Sequence, residues 1–145
     1  MIPALLKDSA QTAVQNADPR IRTFFVEPGI VIAAGDWVGV DLATSTMGVG
    51  NSIGPLDTGV ALIPVGVATE AAAPVAGGDD VWITVVTRGV SSGLLAAGVT
   101  ASDRLGATAV PGSADTTILV AGDRIGYALE ASGAGGVVHC YVTCE

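Results

Sequence analysis

The chain has 145 residues, which corresponds most simply to one domain, and its 14 acidic against 6 basic residues give a formal charge of −8. This acidity argues against nucleic-acid binding, because nucleic-acid-binding surfaces need Lys and Arg to displace counterions from phosphate. Hydrophobic residues make up 50% of the chain and charged residues 14%, so we expect part of the surface to be covered by other chains. No apolar run reaches the roughly 18 residues that cross a bilayer, and no membrane partner is expected.

Residues 1–22 differ from the rest of the chain, because they contain glutamine and asparagine and lack glycine. Leu5 and Leu6 fit either a short helix that ends before Pro19 or an extended arm lying on a neighbouring subunit. The segment has no basic lead-in and too short an apolar core for a signal peptide, so export is not expected. We divide the chain into an extended N-terminal arm, 1–22, and a β domain, 23–145.

From Ile21 onward, short apolar runs alternate with Gly, Pro, Asp and Ser, a pattern typical of strands separated by tight turns. Many short strands with almost no helical periodicity predict an all-β fold, a compact β-sandwich or barrel of short antiparallel strands. The loop 44–58, rich in Ser, Thr and Gly, is the expected place for contacts particular to this protein. The predicted strands are 23–26, 30–33, 37–42, 60–63, 81–87, 117–120, 125–129 and 137–143.

One unit occurs twice, at 66–71 (GVATEA) and at 126–131 (GYALEA), and each copy precedes a glycine pair and a run of β-forming residues. A shorter match relates 101–106 (ASDRLG) to 121–126 (AGDRIG). Repetition on this scale predicts a fold assembled from similar strand–turn–strand pieces.

Glu70 and Glu130 occupy matching places in the longer repeat, and paired carboxylates can act as acid and base in glycoside hydrolysis. Residues that repeat in a quasi-symmetric fold more often share a structural task, such as bonding backbone N–H groups or an arginine. Arg104 and Arg124, which match within the shorter repeat, are candidate partners. We therefore predict a structural role for both carboxylates.

Other candidate reactive groups are few. Residues 50–54 read G-x-S-x-G, the pattern of a nucleophile elbow, but the elbow needs a following helix and Pro55 stands there, so we predict a flexible loop. His139 is the only histidine and is expected to be a strand residue with a satisfied hydrogen bond. Asp79 and Asp80 indicate a turn rather than a calcium site. No catalytic residue, cofactor site or metal site is predicted.

The two cysteines, Cys140 and Cys144, lie near the C-terminus. On one strand they would be too far apart for a disulfide, and with a single histidine they fall short of the four ligands of a zinc site. We predict two reduced, half-buried thiols in a cytosolic protein.

The large aromatic residues lie within predicted strands. Trp37 and Trp82 are therefore expected in the core. Phe24 and Phe25 are adjacent, and neighbouring side chains of a strand point to opposite faces. One ring is expected to enter the core, and the other is expected to face solvent or a neighbouring chain.

Several stretches within residues 29–143 are distinctive: 34–40 (AGDWVGV), 66–73 (GVATEAAA), 87–90 (TRGV), 121–126 (AGDRIG) and 126–131 (GYALEA). These Ala-, Gly- and Val-rich phrases resemble those of the small capsid decoration, or cement, proteins of phages. The resemblance implies a protein without catalytic residues or cofactors that binds the outer surface of a phage head and stabilises contacts between major capsid subunits.

The partners implied by this resemblance are the major capsid protein and copies of the chain itself, with a trimer favoured over a dimer. The protein would be made in the host cytoplasm and located on the outer surface of the virion, with residues 1–22 as a clamp. Neither nucleic acid nor membrane is an expected partner. The expected contact residues lie in the arm, the first strand and the 44–58 loop: Ile2, Leu5, Leu6, Arg20, Arg22, Phe24, Phe25, Met47 and Ile53.

Two other classes remain open. Residues 88–93 and 98–103 resemble the phosphate-binding and acidic motifs of trimeric β-fold nucleotidohydrolases of the dUTPase type, but a clean Arg-Ser-Ser run and a tyrosine in a pyrimidine hairpin are missing. A carbohydrate- or receptor-binding β module is the third class, and two Trp, two Tyr and two Phe offer it few exposed platforms. We expect an oligomer that hydrolyses no nucleotide.

Overall fold

The computed structural model describes residues 20–41, 51–57, 62–116 and 124–144, and the regular structure in these ranges is all β, which confirms the predicted fold class. One sheet connects the described strands in the order β1-β3-β2-β4-β5-β7-β6-β8-β9. Within these ranges no helix has the length and apolar character needed to span a bilayer. The strands are β1 (Arg20–Val26), β2 (Trp37–Asp41), β3 (Ser52–Pro55), β4 (Leu62–Ala68), β5 (Val81–Leu95), β6 (Arg104–Ala107), β7 (Ala114–Asp115), β8 (Arg124–Ala128) and β9 (Gly136–Thr143).

The 15-residue strand β5 belongs to two closed rings of strands. Its first half pairs with β1 and β4 and closes the ring β1-β3-β2-β4-β5, which we call the N-terminal barrel. Its second half pairs with β7 and β9 and closes the ring β5-β7-β6-β8-β9, the C-terminal barrel. In each ring one strand pair is parallel, β1 with β3 and β5 with β7, and the other pairs are antiparallel. The same five-stranded topology therefore occurs twice, with β5 shared.

The turn that leads into the second strand of each barrel is held in the same way. Asp36 Oδ2 accepts a hydrogen bond from the backbone N–H three residues earlier at 2.8 Å, and Asp103 Oδ2 accepts the equivalent bond at 2.7 Å. The preceding residues, Gly35 and Ser102, both have positive φ, at 92° and 74°. Aspartate fixes such turns because its side chain bonds nearby backbone.

Residues 34–39 and 101–106 are therefore structural counterparts. The pairing register shifts at the same step of these two segments, between Val38 and Gly39 and between Leu105 and Gly106, where the partner strands β4 and β8 each contain one extra residue. In the shorter repeat, the described residues 124–126 lie on β8 and pair across the sheet with 104–106 of β6, so they are neighbours of that segment rather than its counterparts.

The longer repeat, by contrast, marks equivalent positions in the two barrels. Gly66 in β4 and Gly126 in β8 each lie against the backbone of the next strand. A methyl group on Gly66 would overlap the carbonyl oxygen of Val86, and one on Gly126 would overlap that of Tyr141. Glycine is required at both positions because a side chain would push the strands apart.

Among the described residues, the buried hydrophobic side chains form two clusters. The N-terminal barrel encloses a cluster that includes Ile53, Ile83 and Val85. The second cluster combines residues of the C-terminal barrel with residues from the outer surface of the N-terminal barrel, including Trp37, Leu56, Val67 and Val86. The two barrels are therefore packed together as one body.

Trp37 is the main side chain in this junction. It lies in β2 of the N-terminal barrel and is fully buried, as predicted. Its indole Nε1 donates to the carbonyl oxygen of Leu94 at 3.1 Å. Gly93 and Gly126 border the ring, and a Cβ on either would lie within 3.0 Å of it. The indole fits because both neighbouring residues are glycines and have no side chain.

Several strand bounds differ from the prediction. Residues 30–33 form no strand, and only an isolated bridge joins Ile32 to Ala72. The predicted strand 117–120 lies outside the described residues. The sequence does not predict four observed pieces of strand: β3, β6, β7 and the second half of β5. These pieces are short or rich in Gly, Ala and Ser, and they carry few of the β-branched residues that mark strands.

The first strand starts earlier than predicted. β1 begins at Arg20, so residues 20–22, predicted to be part of the arm, belong to the N-terminal barrel. They pair with β5 near Arg88, where the register shifts. The predicted arm therefore shortens to 1–19, which lies outside the described residues.

Candidate functional surface

Glu70 and Glu130 follow the fourth strand of each barrel and make equivalent contacts. Glu70 Oε2 accepts from Thr84 Oγ1 at 2.9 Å, and Glu130 Oε1 accepts from the backbone N–H of His139 at 2.9 Å. The ring Nδ1 of His139 lies 3.0 Å from the same oxygen. The backbone bond first, and then the ring bond, hold the pKa of Glu130 below its usual value. Each carboxylate ties a strand end to the next strand, which supports the predicted structural role.

The observed partners of these glutamates differ from the predicted arginines, Arg104 and Arg124. Arg124 Nη1 donates to Tyr127 Oη at 2.6 Å, and its guanidinium lies 5.4 Å from the centre of the tyrosine ring. Arg104 is exposed on β6. Thr84 and His139 bond the carboxylates instead, because they lie on the strand that follows each glutamate.

His139 is a hydrogen-bonded residue on an exposed strand face, as predicted. Asp79 and Asp80 are exposed in the connection between β4 and β5 and follow the turn at 76–78. In the part of the chain that the structure describes, no group of three or more His, Cys, Asp or Glu side chains is placed to hold a metal ion.

Ser52, the serine of the G-x-S-x-G pattern, lies in β3 rather than in a loop. Its side chain is buried, and Oγ donates to Glu27 Oε1 at 2.9 Å. A nucleophile elbow needs an exposed serine on a sharp strand-to-helix turn. Gly54 and Pro55 instead continue the strand, so the pattern does not form that site.

Both cysteines are free thiols, as predicted. Cys144 is half-buried, as predicted, whereas Cys140 is fully buried, which differs from the prediction. Burial raises the pKa of Cys140 to about 11 and that of Cys144 to about 12. Because the thiolate is the reactive form, both thiols are poor nucleophiles at neutral pH.

Trp82 is not in the core, which contradicts the prediction, since its side chain is 44% exposed. Ile83 points into the N-terminal barrel, so its neighbours Trp82 and Thr84 point outward from β5. The indole packs on Phe25 across β1 and β5, with ring centroids 5.4 Å apart and 59° between the planes. The outer face of the N-terminal barrel thus presents a supported aromatic ring.

The predicted contact residues fall into three groups. Four lie outside the described residues: Ile2, Leu5, Leu6 and Met47. Two are exposed on β1: Arg20 and Arg22. Three are buried within the chain, with exposed fractions of 8%, 3% and 1%: Phe24, Phe25 and Ile53. The expectation that one of the two phenylalanines faces solvent or a neighbour is wrong, because one ring enters the N-terminal barrel and Trp82 packs on the other.

The described surface includes a larger and a smaller groove. The larger, of about 320 Å³, lies where the barrels meet and is lined in part by Gly35, Ser92 and Val137. The smaller, of about 200 Å³, is lined in part by Arg22 and Cys144. Among the lining residues of either groove, no nucleophile is paired with a general base.

The two segments that resemble nucleotidohydrolase motifs have structural tasks. Residues 88–93 run within the continuous strand β5. In 98–103, Val99 bridges to Ser132, and the carboxylate of Asp103 is occupied by its backbone hydrogen bond. Asp103 therefore repeats the role that Asp36 has in the other barrel.

The fold is similar to that of a solved structure, the head fiber gp8.5 N base of bacteriophage phi29, with a TM-score of 0.62 and 17% sequence identity. The similarity covers 87% of this chain and 97% of that chain. No family model matches the sequence, and no curated protein matches it. At this level of identity the likeness is one of fold.

Proposed function

We propose that this protein is a non-enzymatic structural component of a phage head that binds the outer surface of the shell and stabilises contacts between major capsid subunits. The observation that carries the proposal is the fold shared with a head fiber base over 87% of this chain and 97% of the other. The resemblance of the Ala-, Gly- and Val-rich phrases to capsid decoration proteins supports the same class independently of the fold.

The surface chemistry supports attachment rather than catalysis. Isolated apolar side chains project from the described surface, among them Ile21, Val31, Ile63 and Val75, each more than half exposed. A head protein acts through contact area, and many identical weak contacts on one shell add through multivalency. The groups that suggested chemistry in the sequence, Ser52, Glu70 and Glu130, are engaged in hydrogen bonds within the chain.

Self-association, with a trimer favoured and a dimer possible, is part of the proposal. In the described ranges the strands close into two rings, and closed barrels leave no free sheet edge. Copies of the chain and capsid subunits would then bind through side-chain surfaces rather than by adding a strand. Light scattering on the purified protein should give an oligomer, and a monomer would contradict this part.

The direct test is co-sedimentation with empty shells of the major capsid protein from the phage in which this chain is proposed to act. We expect saturable binding and shells that resist heating better when the protein is bound. Protein that stays in the supernatant at all ratios would contradict the proposal. Turnover of dUTP in the presence of Mg²⁺ would contradict the non-enzymatic part.

The role proposed for the N-terminal arm can be tested by two deletions that differ by three residues. Removal of residues 1–19 should leave the barrels folded and weaken shell binding. Removal of residues 1–22 also deletes the first three residues of β1 and should lower the unfolding midpoint. Loss of folding in the shorter deletion, or undiminished shell binding, would contradict a clamp role for the arm.

A further inference from the structure

The outer face of the N-terminal barrel carries an aromatic side chain that the core does not use. Trp82 is 44% exposed, whereas the other tryptophan is fully buried. Its ring is held by Phe25, which is itself buried, at a centroid distance of 5.4 Å. The orientation of the indole is therefore set before any ligand arrives, which lowers the entropic cost of binding.

Polar groups border this ring on one side. Thr84 lies two residues further along the same face of β5, about 7 Å away. Its hydroxyl donates to Glu70 Oε2 at 2.9 Å and lies 2.7 Å from the hydroxyl of Thr69. Thr23 is exposed directly across from Thr84 on β1. One flat apolar surface thus adjoins three hydroxyls and one fixed carboxylate.

We propose that this face binds a β-linked pyranose oligosaccharide, with Trp82 as the stacking platform and Glu70 as the hydrogen-bond acceptor. A pyranose ring with equatorial hydroxyls has a C–H face, which packs on an indole, and an edge of hydroxyls, which donate to a carboxylate and exchange bonds with threonines. The hydroxyls of Thr23, Thr69 and Thr84 are neutral, which favours a sugar over a basic peptide. The site adds a ligand class to the proposed head attachment and does not depend on it.

The C-terminal barrel supplies an internal control. His139 occupies the position of Thr84, since each bonds the glutamate that follows the fourth strand of its barrel. Two residues earlier, Val137 stands where Trp82 stands in the N-terminal barrel. Valine offers no ring to stack on, so we assign the site to the N-terminal barrel alone.

The test is an NMR titration of the full chain with chitotetraose, with sorbitol as a control that has hydroxyls but no ring face. The two tryptophans give two indole N–H signals, and that of Trp37 is buried and bonded to Leu94. We expect chitotetraose to shift the Trp82 indole and the Thr84 amide, with a dissociation constant on the order of 1 mM, and to leave the Trp37 indole unmoved. Equal shifts with sorbitol, or no shift of the Trp82 indole, would overturn the proposal.

Two substitutions of the platform extend the test. Trp82→Val copies the C-terminal barrel and should abolish the Thr84 shift, whereas Trp82→Phe keeps a ring and should retain part of the affinity. Persistent shifts in Trp82→Val would overturn the proposal. Loss of shell binding in Trp82→Val, together with no binding of chitotetraose by the wild type, would also overturn the proposal, because this face would then contact protein.

The proposed hydrogen-bond acceptor, Glu70, is tested by a separate substitution. Glu70→Gln keeps an acceptor oxygen without the charge and should weaken chitotetraose binding several-fold. An unchanged affinity would remove Glu70 from the site. Shell co-sedimentation of both Trp82→Val and Glu70→Gln should match the wild type, so failure of the sugar site and failure of the head proposal are distinguishable.

Discussion

The two barrels have the same strand order, the same parallel pair and a bulge at the same step, yet several of their matching side chains differ. What they share is a small set of local constraints: an aspartate that fixes a turn, a glycine pressed against the next strand, and a glutamate that bonds the following strand. The comparison shows that these constraints specify the topology, while the outward-facing positions are open to different uses.

The differences explain how the barrels pack together and what each exposes. Trp37 in the N-terminal barrel corresponds to Arg104 in the C-terminal barrel, so only one of the two sends an aromatic ring into the other's core. Asp36 is buried beneath Gly112, whereas Asp103 is half-buried. The asymmetry turns two similar units into one body.

The largest expected effect comes from the two tryptophans. Trp37→Ala should lower the free energy of unfolding by about 3–5 kcal/mol, because it empties the space shared by both barrels. Trp82→Ala should cost about 1 kcal/mol, because the ring is 44% exposed. Urea unfolding of both variants measures the difference. Equal losses would contradict the assignment of Trp37 to the junction.

The paired glycines test the equivalence of the barrels directly. Gly66→Ala and Gly126→Ala should each lower the free energy of unfolding by about 3 kcal/mol, since the added methyl meets a carbonyl oxygen in both. Gly133→Ala is the matched control, because nothing lies within 4 Å of its added Cβ. If only one of the two glycines is sensitive in thermal unfolding, the equivalence is wrong at that position.

A smaller effect of opposite sign is expected at the aspartate turns. Ser102 has a positive φ of 74°, and its counterpart Gly35 has a φ of 92°. Glycine adopts such angles without the steric cost that serine has. Ser102→Gly should therefore raise the free energy of unfolding by about 1 kcal/mol, and Gly35→Ser should lower it by at least as much. Thermal unfolding provides the measurement. Destabilisation by Ser102→Gly would show that the serine side chain outweighs the backbone strain.

The smallest effect concerns pH. The pKa of Glu130 is lower in the folded chain than its ordinary value of 4.5, so its stabilising contribution is complete above that value and is lost as pH falls through the folded-state pKa. Glu130→Gln should unfold at a lower temperature than wild type near neutral pH, and the gap should close on acidification. A gap that is constant with pH would contradict the role of the carboxylate's charge.

Part of this architecture can be predicted from the sequence. The alternation of β-branched residues and turn residues predicts the all-β class, and the repeat at 66–71 and 126–131 marks equivalent strands. The second correspondence, 34–39 with 101–106, escapes detection because Gly35 and Trp37 are replaced by Ser102 and Arg104, and only the turn geometry is retained.

The exposure of Trp82 could have been found in the sequence. Ile83 and Val85 alternate with Trp82 and Thr84, which places the indole on the threonine face. Burial of both Phe24 and Phe25 could not be found, because it depends on a ring from another strand that covers the outer face. The short strands β6 and β7 are likewise set by their ring neighbours rather than by their own residues.

The most direct test of the central claim is cryo-electron microscopy of shells of the major capsid protein from the phage in which this chain is proposed to act, imaged with and without this chain. We predict added density on the outer surface, at junctions between capsid subunits, that accommodates the two packed barrels. Shells that look the same with and without the protein, at concentrations that saturate co-sedimentation of a known decorating protein, would contradict the account.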